Sequence, residues 1–239
     1  MKVGLFGGSF DPIHCGHLEP VKEARRLLGL ERVIYLPTAI PPHKPGRLLA
    51  PPLARYAMVE MAILAEEGLY ASPYELTLDR PAYTAETLEH FQRELPAAEL
   101  HLLIGSDSFF ELPHWVRWRD IAAAARLVVL ARPGWDLAGL TEISESSGSS
   151  ESAESSESTE TVEPSRAGSQ ADRWQGPQGQ ERLELSALLA SDRVRVLDQR
   201  PYEVSSTRLR ELLARGERPP DGWMPDLVVD FVHKYRLYR

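Results

Sequence analysis

Short apolar stretches recur along the chain at intervals that a helix can fill, and this spacing constrains the fold more than any other feature. Lys2–Gly7, Arg32–Leu36, Leu69–Leu76, Glu99–Ile104, Leu127–Ala131 and Val194–Leu197 each read as a strand. Short apolar runs without polar alternation suit strands buried on both faces. Helical stretches separate them. His17–Leu28 puts Leu18, Val21, Ala24 and Leu27 on one face, with Gly29 placed for a C-cap. Pro51 and Pro52 open a helix to about Glu67, and Thr84–Leu95 is helical. Asp107–Ala125 reads as broken helix, and shorter helices follow near 183–190, 206–215 and 225–235. The alternation implies a doubly wound α/β fold, a mostly parallel sheet with helices on both faces and a small helical C-terminal part. In such sheets ligands bind beyond the C-terminal ends of the strands, near the point where strand order reverses.

Charge is concentrated in one place. The 239 residues carry a formal charge of −8, and residues 142–172 hold eight acidic side chains against Arg166 alone. That stretch is Ser- and Glu-rich and lacks aromatics, so it has too little apolar surface to offset the entropy of ordering. The expected organisation is a first domain part over 1–139, an acidic disordered insert over 140–181 and a second domain part over 182–239. The near-neutral remainder gives no basic field for nucleic acid. Cys15, the single cysteine, excludes an internal disulfide framework. No apolar run reaches the roughly 18 residues of a membrane span, and the N-terminus lacks a signal-peptide pattern, so a cytoplasmic protein is expected.

The segment after the first strand, Gly7-Gly8-Ser9-Phe10-Asp11-Pro12-Ile13-His14-Cys15-Gly16-His17, carries the most chemical information. Glycines permit close approach of backbone to an anion, and a loop entering a helix aims its amides there. His14 and His17 are three apart and share a face of a helical start, where two imidazoles can donate to phosphate oxygens. The pattern is neither the dinucleotide fingerprint nor a Walker loop. Ser205, Ser206 and Arg210 form a second strand-to-helix junction suited to phosphate, although Ser-Ser-Thr also signals an ordinary helix cap.

GGSFDPIHCGHL resembles the signature of the HxGH nucleotidyltransferases and, more narrowly, of bacterial nicotinate-nucleotide adenylyltransferases. Pro42-His43-Lys44, the stretch Tyr83–Leu88, the stretch Ile104–Phe109 with Leu112 and Trp115, and the stretch Val204–Arg210 are similar to four further stretches of that family. Residues 80–82 depart from it, reading Arg-Pro-Ala where relatives usually carry a Gly- and Ser-bearing loop. The resemblance implies a Rossmann-like fold of the HxGH type.

It also implies a reaction in NAD biosynthesis: ATP and nicotinate mononucleotide give deamido-NAD and pyrophosphate. On that resemblance His14, His17 and Arg210 are the catalytic candidates. Gly8, Ser9, Phe10, His17, Gly105, Asp107, Ser205, Ser206 and Arg210 are the expected ATP contacts. Lys44, Tyr83, Thr84 and Trp115 are the expected mononucleotide contacts, with Trp115 stacking on the pyridine ring. Mg²⁺ is expected with ATP, held by phosphates and water rather than by a protein site. The expected partners are these small molecules, with neither nucleic acid nor membrane, and assembly of identical copies stays open. Two other readings remain at this point. One is an HxGH enzyme for nicotinamide mononucleotide or phosphopantetheine. The other is a non-catalytic nucleotide-binding regulator.

Overall fold

Strands with apolar side chains on both sides need a helical layer on each face, and the chain supplies two. The structure, a computed structural model, describes residues 1–40, 49–131, 179–198, 202 and 204–239. Its first half runs β1 (Lys2–Gly8), α1 (Cys15–Leu28), β2 (Arg32–Pro37), α2 (Pro52–Ile63), β3 (Leu69–Ala71), a 3₁₀ turn (Tyr74–Thr77) and α3 (Thr84–Glu94). There follow β4 (Glu99–Gly105), α4 (Ser106–Phe110), a second 3₁₀ turn (Leu112–His114), α5 (Trp118–Ala124) and β5 (Arg126–Leu130). The remainder comprises α6 (Gly179–Leu189), β6 (Val194–Leu197), α7 (Ser206–Ala214) and α8 (Asp226–Tyr235).

The six strands lie in the order β3-β2-β1-β4-β5-β6, and every neighbouring pair is parallel. The expected doubly wound α/β sheet is therefore present. Its order reverses between β1 and β4, whose C-terminal ends carry Gly8 and Gly105. Alternate residues of each strand feed opposite cores. Phe6, Val33, Tyr35, Leu103 and Val128 meet α1, α2, α7 and α8 on one face. Val3, Leu5, Ile34, Leu102 and Val129 meet α3, α4, α5 and α6 on the other.

Boundaries differ from the sequence reading in several places, and α2 ends at Ile63 rather than near Glu67. The third strand stops at Ala71, because Pro73 can donate no ladder bond and the chain tightens into Tyr74–Thr77. The first helix begins at Cys15 rather than His17, with His14 as its extended N-cap, and Gly29 closes it at φ 62° as expected. The expected broken helix is three pieces, separated at Glu111, just before the 3₁₀ turn that holds Pro113, and at Trp115–Arg117, where Arg117 has φ 59°. Lys44 and most of the acidic segment, 140–178, lie outside the described residues, whereas 179–181 form the first turn of α6.

Candidate active site

The loop after β1 turns its carbonyls into the protein. Gly8 O accepts from the Thr38 amide at 3.0 Å, and Ser9 O accepts from Arg55 Nη1 at 2.7 Å. Phe10 is buried with φ 45°, a left-handed conformation that costs a non-glycine residue about 1 kcal/mol or more. Its ring packs against Phe6, Tyr35 and the His17 imidazole, at 5.6, 5.7 and 5.4 Å between centroids. Phe10 thus reaches the site through its backbone, while its side chain belongs to the core beneath.

His14 and His17 come together as their spacing implies. Their rings lie 3.8 Å apart, tilted by 32°. The His17 and Leu18 amides both donate to His14 O, which closes the first turn. Tyr35 Oη donates to His17 O at 3.3 Å. A methyl group at Gly16 would stand 3.1 Å from the His14 ring, so glycine lets the imidazole fold over the helix start. The Cys15 amide donates to Trp223 O at 2.9 Å, so it serves the fold rather than an anion. Burial raises the Cys15 thiol above its ordinary value, consistent with no nucleophilic role. A cavity of about 330 Å³ opens beside this turn, between Cys15, Glu19, Tyr202, Val204 and Trp223.

The second junction is tied directly to the first. Ser205 caps α7 by accepting from the Arg208 amide at 3.2 Å, and Ser206 Oγ donates to Pro12 O at 3.1 Å. Arg210 Nη1 donates to Asp11 O at 2.6 Å and stands 3.6 Å from the Asp11 carboxylate. The helix cap weighed for the Ser-Ser-Thr stretch is made, and Arg210 is bonded to the histidine loop. Gly105 ends β4, and Asp107 lies in the first turn of α4, across the switch point from that loop.

Three of the four expected mononucleotide contacts, Tyr83, Thr84 and Trp115, lie in the other layer. Tyr83 is the N-cap of α3 and Thr84 its first residue. Trp115 follows the second 3₁₀ turn and is half-buried, packed with Trp118 against the α3 side of the core. Arg117 pairs with Glu89 of α3 at 2.7 Å, joining these two elements. The histidine-loop and α7 candidates thus lie on one face of the sheet and the pyridine candidates on the other, both near the C-terminal ends of the strands. Arg80 pairs with Glu86 at 2.7 Å and is exposed.

Three residues given no role from sequence organise this region. Arg55 is fully buried and donates to the carbonyls of Ala50, Ser9, Thr38 and Ala39. Burial lowers its pKa, and the neighbouring Asp11 pulls it back up. Asp11 is buried, and its Oδ1 accepts from the Ala50 amide at 3.1 Å and from Tyr238 Oη at 2.9 Å. Glu75 is buried near α3, where Thr87 Oγ1 donates to it at 2.9 Å; desolvation pushes its carboxyl up. One signal was available for Arg55, since it falls with Met58 and Val59 on the buried stripe of an otherwise apolar helix.

The cytidylyltransferase-like family model matches residues 5–212. A protein of Aeromonas hydrophila named "Probable nicotinate-nucleotide adenylyltransferase" is 35% identical over 237 residues, covering 99% of this chain and 97% of that protein. One of the same name from Laribacter hongkongensis is 36% identical over 240 residues, covering 100% of this chain and 95% of its own. The chain belongs to the nicotinate-nucleotide adenylyltransferase family. A nicotinic acid mononucleotide adenylyltransferase of Plasmodium falciparum, solved with APC, shares the fold at a TM-score of 0.66. That likeness covers 99% of this chain and 96% of the other at 14% identity. Membership of the nicotinate-nucleotide adenylyltransferase family agrees with the strand order and with the paired imidazoles at the first strand-to-helix junction. Among the described residues no helix is long and apolar enough to cross a membrane.

Proposed function

We propose that the chain moves AMP from ATP to nicotinate mononucleotide, giving deamido-NAD and pyrophosphate. The observation that carries this reading is the His14–His17 pair at the switch point, with Arg210 bonded to the same loop. The relatives' names supply the substrates, and the site supplies chemistry that suits them.

A phosphate oxygen of the mononucleotide attacks the α-phosphorus of ATP, a new P–O bond forms, and the bond to pyrophosphate breaks. The acceptor phosphate is already a dianionic nucleophile, so no protein nucleophile or base is needed. The demand is alignment and neutralisation of charge. His14 and His17 would donate to oxygens of the transferring group and the leaving phosphates. Arg210 would add a guanidinium fork, and the backbone of Gly8, Ser9 and Phe10 would line the phosphate path. Gly105 and Asp107 would take the adenosine ribose, and Ser205 and Ser206 would border the phosphates. At the other layer, the start of α3 offers Tyr83, Thr84 and the positive end of a helix to the nicotinate carboxylate. Trp115 would stack on the pyridine. Lys44 belongs to the same proposal from sequence alone.

The donor set at the loop, two imidazoles and a guanidinium, fits phosphate oxygens rather than a divalent cation. Among the described residues no group of three or more His, Cys, Asp or Glu could hold a metal. Mg²⁺ would enter on the ATP phosphates and would supply charge neutralisation for the departing pyrophosphate. ATP as substrate implies the cytoplasm as the setting.

Pyrophosphate release with ATP plus nicotinate mononucleotide, nicotinamide mononucleotide or phosphopantetheine tests the reading. Turnover fastest with nicotinate mononucleotide, with deamido-NAD as product, is expected. Preference for either other acceptor would replace the proposed substrate, and ATP binding without pyrophosphate release would replace the enzyme with a nucleotide-binding regulator.

A further inference from the structure

Residues 236–239 reach back to the loop that carries the catalytic candidates. Helix α8 ends at Arg236, whose φ is 50°, and Tyr238 follows with φ 71°. Two left-handed non-glycine residues in so short a stretch need an offsetting contact. Three are present. The Leu237 amide donates to Val232 O at 3.1 Å. Leu237 and Tyr238 pack on the core face shared by α1, α7 and α8. The Arg239 guanidinium lies against Gly216, just beyond α7. The turn therefore delivers the Tyr238 hydroxyl to Asp11 Oδ1 at 2.9 Å, across 227 residues of sequence.

Asp11 stands between this hydroxyl and Arg210. It is 1% exposed, so its charge has little water to stabilise it. Oδ1 is held by Tyr238 and by the Ala50 amide. Oδ2 accepts no hydrogen bond among the described residues, and Arg210 Nη1 lies 3.6 Å from it. The same nitrogen donates to Asp11 O at 2.6 Å, and Arg210 Nη2 donates to Thr207 Oγ1 at 3.0 Å. Arg210 is thus hydrogen-bonded to the Asp11 carbonyl and to Thr207, and it faces the Asp11 carboxylate, whose own orientation is set by Tyr238 and the Ala50 amide.

We infer that Tyr238 is a positioning residue for the adenylyl transfer, holding Asp11 so that Asp11 in turn holds Arg210 beside the His14–His17 loop. The inference rests on the proposed reaction. A guanidinium carries five N–H groups in a fixed fork. Two anchoring bonds set its plane, and the same group can share a phosphate oxygen without leaving its anchor. Burial and the Asp11 charge push the Tyr238 hydroxyl far above its ordinary range, so it stays protonated and remains the donor throughout the neutral range. Positioning of this kind affects the charge-developing step more than ground-state binding of the mononucleotide, which lies in the other layer.

The test compares Tyr238→Phe, Asp11→Asn and Arg210→Lys with the combination Tyr238→Phe/Arg210→Lys in the full chain. Wild-type pyrophosphate release with ATP and nicotinate mononucleotide is measured first; its absence would remove the proposed reaction and leave the positioning claim without a step to act on. With wild type active, Tyr238→Phe is expected to lower kcat about tenfold, the scale of one lost hydrogen bond to a charged group, with KM for the mononucleotide within about twofold. Asp11→Asn keeps the Oδ1 acceptor and removes the charge facing Arg210, so it should lower kcat at least as much. In the Arg210→Lys background the Tyr238→Phe effect should shrink to less than about threefold. A full tenfold effect persisting in that background, an unchanged kcat in Tyr238→Phe, or loss of mononucleotide binding in step with kcat would each overturn the inference. Should Tyr238→Phe unfold, the Asp11→Asn and Arg210→Lys pair, cycled in the same way, decides the question.

Discussion

Arg55 has no expected contact with substrate, yet it joins the loops after β1 and β2 to the start of α2. Its donors are taken by four carbonyls: Ser9 after β1, Thr38 and Ala39 after β2, and Ala50 before α2. Replacing it with Met would keep the apolar stem and strand those carbonyls. A single unsatisfied buried acceptor costs about 1–3 kcal/mol, so Arg55→Met should lower stability by at least about 3 kcal/mol. Urea unfolding of the variant measures this, and a loss below about 1 kcal/mol would show that the carbonyls find other partners. Sequence legibility at this scale follows distance along the chain. His14 and His17 are three apart and reveal each other, as do Gly16 and the helix it opens. Arg55 meets Ser9 across 46 residues and Tyr238 meets Asp11 across 227, and neither pair leaves a local pattern. Asp11 sits within the motif, yet its partners are what give it a task.

Elements buried on both faces announce themselves, and those at an edge or with a mixed role do not. β1, β4 and β5 read directly because apolar residues dominate each of them on both faces. β3, at the sheet edge, merges in sequence with the turn that follows, and only Pro73 marks the break. β4 also carries a polar residue inside, His101, which is 5% exposed. Glu99 Oε1 lies 3.4 Å from its Nε2, and Lys2 and Arg126 are the nearby cations. Desolvation dominates and lowers the His101 pKa below its ordinary 6.5. The unfolded chain therefore binds a proton in a range where the folded chain does not. The stability tied to neutral His101 is present above about pH 6.5 and is lost as pH falls below it. Melting temperatures measured between pH 7.5 and 5.5 should decline, and His101→Leu should flatten the decline. An equally steep decline in His101→Leu would assign the pH dependence to other groups.

At the scale of the molecule, the site exists because strand order reverses between β1 and β4. The histidine loop, α7 and the C-terminal residues pack in one layer, α3 and the Trp115 segment in the other. No candidate site residue falls between 132 and 178, which contains most of the protein's net negative charge. Replacing residues 142–175 by a short Gly/Ser linker should leave kcat/KM for ATP within about twofold at high salt. Loop-closure entropy changes by only about 0.6 kcal/mol per doubling of length, so stability should hardly move. At low salt the loss of negative charge should raise kcat/KM for a polyanionic substrate. A drop above tenfold at both ionic strengths would make the acidic segment part of the site.

On the proposed reaction, AMP passes directly from ATP to the acceptor phosphate, with the His14–His17 pair stabilising the transfer. Single-turnover chemistry with α-phosphorus-labelled ATP and saturating nicotinate mononucleotide tests it most directly. Label should appear in deamido-NAD without passing through a protein-bound species, and His17→Ala should slow its appearance by roughly 10²-fold or more while ATP still binds. Label on the protein, or a His17→Ala variant that turns over at the wild-type rate, would contradict the account.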